Sequence, residues 1–500
     1  MKKQSFKTQR SHPLMSKPNC AKRVRSWLSP AACLALALAL LVNGPASRVS
    51  FNQQVFGQTT ATTAAKAGWG FTNRMHTNRY DHTATRLKND KVLIAGGGGF
   101  PCSEGCYATV NSSSELYDPI KGIWSVTGEL RQRRSGHSAT LLKDGRVLIA
   151  GGADFGFDIG KFSNLNSAEL YDPATGKWRP TASFNRIEGY NSATLLASGK
   201  VLAMGRSYPR GYSAELYDPV TEMWSITAAP DLPGISVLLP DGKVLTVANN
   251  TPEIYDSATE RWSSAGPLNV IRRARTATLL TNGKVFATGT DESGLPGAEL
   301  YDPSTGAWSV TGAPFAGVGT VTLLPEGRVL MSGGYTSQNL PSGEEIYDPE
   351  TGQWSVTDRL KAPRFAHTAT LLVDGRVLVA GGSADEEGFF ILDSAELYGP
   401  IPIIKITSAS VSGKKLFLSG ESFLVGAVIL LNGEEEKTRN DDQNPNTMLI
   451  GKKAGKKIKA GDKLQVRNPD GTLSEEFIFS GSQAATLERR FSLQDRSQHP

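Results

Sequence analysis

Two sets of side chains in this sequence are of the types that hold metals or react. The histidines are His12, His76, His82, His137, His367 and His499, and neutral imidazole is the commonest copper and zinc ligand. The cysteines are Cys20, Cys33, Cys102 and Cys106. Cys102 and Cys106 suit a local disulfide in an oxidising compartment; a metal site is the sharper alternative, but two thiolates without obvious partners do not complete a zinc tetrahedron. No nucleophile elbow, phosphate loop or metal-binding helix motif occurs, so neither metal nor cofactor is expected.

A third set suits recognition rather than reaction. Phe100, Tyr107, Phe155, Phe157, Phe162, Phe389 and Phe390 are interleaved with Asp154, Asp158, Asp385, Glu386 and Glu387. Aromatic faces stack on the apolar side of sugar rings or anchor a protein partner, and carboxylates bond hydroxyls. Arg79, Arg134, Arg272 and Arg364 recur three residues ahead of similar segments, where they either ring a channel mouth or brace a repeat. Whether these groups meet depends on the elements that carry them.

Those elements repeat. Glu-Leu-Tyr-Asp-Pro or a close variant places tyrosines at Tyr117, Tyr171, Tyr217, Tyr255, Tyr301, Tyr347 and Tyr398, about 47 residues apart. Six are followed by a tryptophan: Trp124, Trp178, Trp224, Trp262, Trp308 and Trp354. Each interval reads as four strands, for example 137–142, a turn at Asp144-Gly145, 146–150 ending in Gly151-Gly152, a variable loop, the tyrosine strand, and the tryptophan strand. Asp-Gly and Asn-Gly supply the positive φ that two-residue hairpins need. Alternation without a helical period excludes a helical solenoid.

The double glycine, tyrosine and tryptophan in this order resemble the kelch repeat, over about 330 residues. The resemblance implies an all-β fold, a seven-bladed kelch-type β-propeller over 69–400. The seventh tryptophan is Trp69, ahead of the first copy, so Trp69-Gly-Phe71 should pair with the strand around Leu397 and shut the ring. The repeated aromatics, glycines and His82, His137 and His367 are read as structural. In such a blade the two stereotyped turns share one face, and the loops between strands two and three share the other with the interblade connections. The long loops, about 100–113, 153–166, 335–343 and 383–393, lie mostly in neighbouring repeats seven, one and two. They predict a raised rim bearing the aromatic and acidic side chains.

After Pro400 the period stops. Short alternating runs over 401–480 predict a small β-sandwich, and Leu418-Ser-Gly-Glu-Ser-Phe423 with Val466-Arg-Asn-Pro-Asp-Gly471 resembles the immunoglobulin-like IPT/TIG domain. Lysines 452, 453, 456, 457 and 459 lie close in sequence to acidic residues 434–436 and 441–442, which predicts a solvated mixed-charge face. Residues 481–500 read as a disordered tail.

The formal charge of +6 belongs to the leader: nine basic residues and no acidic one precede residue 58. The rest is slightly acidic, which removes the electrostatic argument for nucleic acid. A basic start, an apolar run from Ala31 to Val42 and small residues at 45–47 make 1–57 a signal peptide with linker, too short in its apolar run for a span. The expected location is therefore secreted or cell-surface, with no membrane insertion after signal removal.

An enzymatic alternative follows from likeness to galactose-oxidase-type proteins, which join a kelch propeller to a β-sandwich and whose copper takes a histidine from the tail domain. Residues 401–480 contain no histidine. Sugar-epimerase and sialidase-like chemistry are weaker forms of that alternative. The reading adopted is a monomeric, non-catalytic scaffold that presents propeller loops to a glycan or protein ligand.

Overall fold

A computed structural model describes residues 67–99, 109–156, 161–209, 211–271, 273–315, 317–335, 343–384, 390–400, 404–469 and 472–481. The leader, the 102–106 cysteine pair and the final residues lie outside this set. Among the described residues the chain is all-β apart from one short 3-10 turn at Ala454–Lys456.

Seven four-stranded antiparallel sheets are traced between Ala67 and Pro400. The first comprises Thr83–Arg86, Val92–Ala95, Ser114–Asp118 and Ile123–Val126, in that order. The next five follow the same meander. The last takes Thr368–Leu371, Val377–Ala380 and Ala395–Pro400 from one end of the region and Ala67–Phe71 from the other, with Gly70 opposite Leu397 and Trp69 opposite Tyr398. The first strands of successive sheets touch in a closed cycle, the seventh against the first.

The repeated residues are explained by contacts between neighbouring sheets. Second strands such as Val92–Ala95 and Val147–Ala150 are buried at every position, as a strand covered on both faces must be. Each tyrosine stacks tilted on its own sheet's tryptophan, about 5 Å between centroids for Tyr117–Trp124 and Tyr171–Trp178. In six of the seven the hydroxyl reaches a threonine of the preceding sheet, as in Thr72–Tyr117 at 2.9 Å, Thr127–Tyr171 at 2.7 Å and Thr181–Tyr217 at 2.8 Å. Most tryptophan Nε1 groups donate backwards in the same way, Trp124 to the Asn73 carbonyl at 2.7 Å and Trp354 to Gly312 at 2.6 Å. Most polar tips of the buried aromatics are thus satisfied across the sheet boundary, with Trp69 Nε1 an exception among the described residues.

The double glycine has an equally local cause. A Cβ on Gly96 would lie 2.5 Å from the Arg134 carbonyl and 2.7 Å from the His137 ring; Gly381 faces Arg79 and His82 in the same way, and Gly333 faces Arg364 and His367. All three have φ near 60°. The glycine of one repeat therefore makes room for the histidine of the next. Repeats three to five, whose second strands lack the pair, precede repeats carrying Gly234, Arg275 and Gly319 in the histidine slot.

Beyond Ile404, two further four-stranded sheets share one core. One holds Lys405–Ser412, Lys415–Glu421, Met448–Gly451 and Thr438–Asn440; the other holds Glu434–Glu435, Val428–Leu431, Lys463–Arg467 and Phe477–Ile478. Leu416, Leu418, Phe423, Ile429, Leu449, Leu464 and Val466 fill the space between them. A backbone hydrogen bond from Val425 to the Asn73 side chain at 3.0 Å ties this part to the repeat region.

Candidate functional site

Three of the four sequence-selected arginines are interior. The Arg79 guanidinium donates to the Gly96 and Ser113 carbonyls at 2.8 and 3.1 Å, to Ser113 Oγ at 3.0 Å and to Glu115 at 2.9 Å. Arg134 repeats this set with Gly151, Ser167 and Glu169, and Arg364 with Gly381, Ser394 and Glu396. All three side chains are fully buried. Burial lowers their pKa, against which the paired glutamate raises it. With their fork geometry spent on carbonyls and a carboxylate, these arginines brace repeats one, two and seven. Arg272 lies outside the described residues.

The glutamate of that trio was not singled out from the sequence; it also accepts from two backbone amides of the connecting segment, His76 and Thr77 on Glu115, Arg131 and Gln132 on Glu169, Lys361 and Ala362 on Glu396. Glu215 accepts from the backbone amides of Asn185, Arg186 and Ile187 at 2.8 to 3.0 Å and from Asn185 Nδ2 at 2.9 Å. Glu299 is held the same way by 269–271. A shared pair of amides is thus supplemented by an arginine in one group and by a third amide with an asparagine side chain in the other.

Of the described histidines, His82, His137 and His367 are also interior, while His76 is exposed with Nδ1 2.9 Å from Glu115. His82 Nε2 meets Thr368 Oγ1 and His137 Nε2 meets Thr83 Oγ1, both at 3.0 Å across a sheet boundary. Burial, then the adjacent arginine, depresses both, with His137 and His367 each lowered to about 3 and His82 also well below its usual value. These imidazoles are neutral at physiological pH and their rings are enclosed. Among the described residues no group of three histidine, cysteine, aspartate or glutamate side chains is placed to hold a metal ion. The donor set does not fit a copper centre, since the interior histidines face threonine hydroxyls and guanidinium groups.

The predicted rim is described in part. Gly98–Gly99 with Thr109–Val110, and Ala153–Gly156 with Lys161–Asn164, form two-stranded ribbons that contact each other at the base of the long loops of repeats one and two. Phe155 and Phe162 are register partners there, described as backbone only. Asp154 is mostly buried, 3.6 Å from Arg133 Nε, and Phe390 is exposed. Phe100, Tyr107, Phe157, Asp158, Asp385, Glu386, Glu387 and Phe389 fall outside the described residues.

What sequence reasoning missed is a groove on the same loop face, between the third and fourth sheets. It has a volume of about 510 Å³ and is lined by Tyr190, Asn191, Ser192, Met204, Gly205, Arg206, Tyr212, Leu232, Pro233 and Gly234. The third sheet builds one wall by extending its middle strands: Val201–Ser207 and Gly211–Asp218 remain paired out to Ser207 opposite Gly211. Gly234 supplies the other, where a Cβ would meet the Val247 carbonyl at 2.3 Å. Tyr190 is half exposed, Tyr208 nearly fully so, and Phe315 stands exposed on the same face. No described residue pairs with the Arg206 side chain. Aromatic rings around an open polar floor with a free guanidinium have the make-up of a recognition surface.

Tyr190 links the groove to the first-strand ends of repeats one, two and seven. Its ring lies flat on Gly136, where a Cβ would come within 1.9 Å of it. The Gly136 amide in turn donates to the Asp81 carbonyl at 2.9 Å, and the Asp81 amide to that of Ala366 at 3.0 Å. This belt joins repeats seven, one and two at the channel mouth.

Comparison with known proteins accords with the architecture. The chain is 26% identical over 229 residues to Kelch-like protein 23 of Mus musculus, covering 41% of this chain and 39% of that protein. It is 26% identical over 247 residues to Kelch-like protein 25 of Xenopus tropicalis, covering 43% and 41%. To the F-box/kelch-repeat protein At1g22040 of Arabidopsis thaliana it is 32% identical over 97 residues, or 19% and 20%. The chain spans about two-fifths of the length of the Kelch-like relatives it matches. No family model matches. Among solved structures, a fungal alcohol oxidase of the AA5 family in complex with copper aligns with a TM-score of 0.54 at 15% identity, over 84% of this chain and all of that one. That likeness shows the fold alone. The repeat region is a kelch-type β-propeller.

Proposed function

We propose that this protein is a binding module, a seven-bladed propeller closed through Trp69, which takes a protein ligand on its loop face, with a carbohydrate ligand as the rival. The observation that carries this reading is the groove of Tyr190, Arg206, Tyr212 and Pro233, the one recognition surface whose walls require departures from the repeat. Exposed Tyr208, Phe315 and Phe390 extend the same face with apolar area that a solvated surface would not select. The likeness to Kelch-like proteins favours a protein ligand. On this reading the tail is an IPT/TIG-like spacer, the leader directs the chain out of the cytoplasm, and a single copy suffices.

The test is a random-peptide display selection and a glycan array on the full chain, repeated with Tyr212→Ala and Arg206→Ala, with copper content and oxidase turnover measured alongside. Ligands that bind the parent and lose at least about tenfold in affinity, ~1.4 kcal/mol, on both variants support the reading. Stoichiometric copper with oxidase turnover would overturn it.

A further inference from the structure

Asp81 stands in a backbone conformation its side chain disfavours. Its φ is 50°, and the corresponding residues of the next and the last repeats are Gly136 at 62° and Ala366 at 49°. The slot is left-handed in all three, a conformation that glycine alone adopts freely. Repeat one spends it on a carboxylate. Such a residue persists where something other than backbone preference holds it.

The carboxylate has no partner of its own. None of the described residues donates a hydrogen bond to it or forms an ion pair with it, although Arg79 lies two residues away, turned inward to Glu115. The residue is exposed to solvent, yet partial burial of its carboxyl raises its pKa. Two aromatic rings stand beside it. Tyr80 packs over Gly98, where a Cβ would meet its ring at 2.5 Å, and Tyr190 packs over Gly136. Each hydroxyl is raised in pKa by burial first and by the Asp81 charge next, so all three groups share one small space.

A carboxylate beside two tyrosine rings, with no cation on it among the described residues, is complementary to one kind of group. We infer that Asp81, Tyr80 and Tyr190 form a subsite for a cationic side chain, an arginine or lysine of the protein ligand, entering the channel mouth from the adjoining groove. The carboxylate supplies a charge-assisted hydrogen bond and the rings supply cation–π contact. Arginine fits better than lysine, because its planar guanidinium stacks on a ring while bonding the acid edge-on. This rests on the loop face being the binding face and names what it recognises.

The experiment titrates the full chain with a short oligoarginine peptide, with oligolysine and oligoglutamate as comparisons, and measures affinity by calorimetry. Asp81→Asn keeps size and tolerates the left-handed backbone, and it should weaken oligoarginine binding by at least about tenfold. Tyr190→Leu should weaken it less, and oligoglutamate should not bind. Asp81→Gly should melt no lower than the parent, since it relieves the backbone while losing the ligand. Equal affinity of parent and Asp81→Asn, equal binding of oligoglutamate, or a lower melting temperature for Asp81→Gly would each overturn the assignment. Display-selected ligands separate the two claims: loss on Tyr212→Ala with retention on Asp81→Asn leaves the binding face standing and removes the cation subsite.

Discussion

Repeats seven, one and two differ from repeats three and five in what completes the hydrogen bonding of the same buried glutamate. In the first group a buried arginine spans from the glycine carbonyl of the second strand to the serine and glutamate of the third, and a buried histidine crosses to the neighbouring sheet. Both groups fold two amides of the connecting segment onto the carboxylate, and in the second a third amide and an asparagine side chain are added, as Ile187 and Asn185 do on Glu215. The 510 Å³ groove lies in the second group, beside the third sheet, where Glu188 stands at the sequence position of the arginine. The difference teaches that one repeat supplies both a locked sector and an open one.

Six substitutions break or sharpen that contrast. The largest effect belongs to Arg134→Met, which leaves Glu169 buried without its cation and should cost about 3–5 kcal/mol, read from denaturant unfolding. Next, Gly151→Ala should cost about 3 kcal/mol, because φ is +68° and a Cβ would overlap the Gly189 carbonyl at 2.6 Å. Gly211→Ala in the open sector, at φ +92° with free space around it, should cost only about 1 kcal/mol.

A smaller effect is titratable. His137 is lowered to about 3 in the folded protein from 6.5, because burial excludes its charged form. The unfolded chain therefore binds the extra proton, and stability is full above about pH 6.5 and falls as pH drops toward about 3. His137→Gln should flatten that slope in thermal melts across this window, whereas Asn191→Gln, at the same slot in the open sector, should leave it unchanged. Smallest of all, Tyr212→Ala should shift unfolding by no more than about 0.5 kcal/mol while abolishing ligand capture.

Much of the locked sector was legible beforehand because packing repeats with the chain. Tyrosine, tryptophan and glycine recur where sheets meet, and Trp69 had to sit opposite Tyr398 once six partners were counted. The arginines were visible as a pattern, but their direction was not, since their partner glutamates are hidden inside the Glu-Leu-Tyr motif. The groove was illegible for the opposite reason. Tyr190, Arg206 and Tyr212 follow no repeat and are brought together only by strands extended past their usual length. Asp81 did carry a signal: Tyr-Asp-His stands where other copies read Ser-Gly-His and Phe-Ala-His, an acid in a small-residue slot.

Hydrogen–deuterium exchange on the full chain, with and without a display-selected ligand, tests the central claim most directly. The account predicts new protection in 186–192, 204–212 and 232–234, with the turns of the opposite face unchanged. Protection confined to those turns, or to the sheets beyond Ile404, would contradict it.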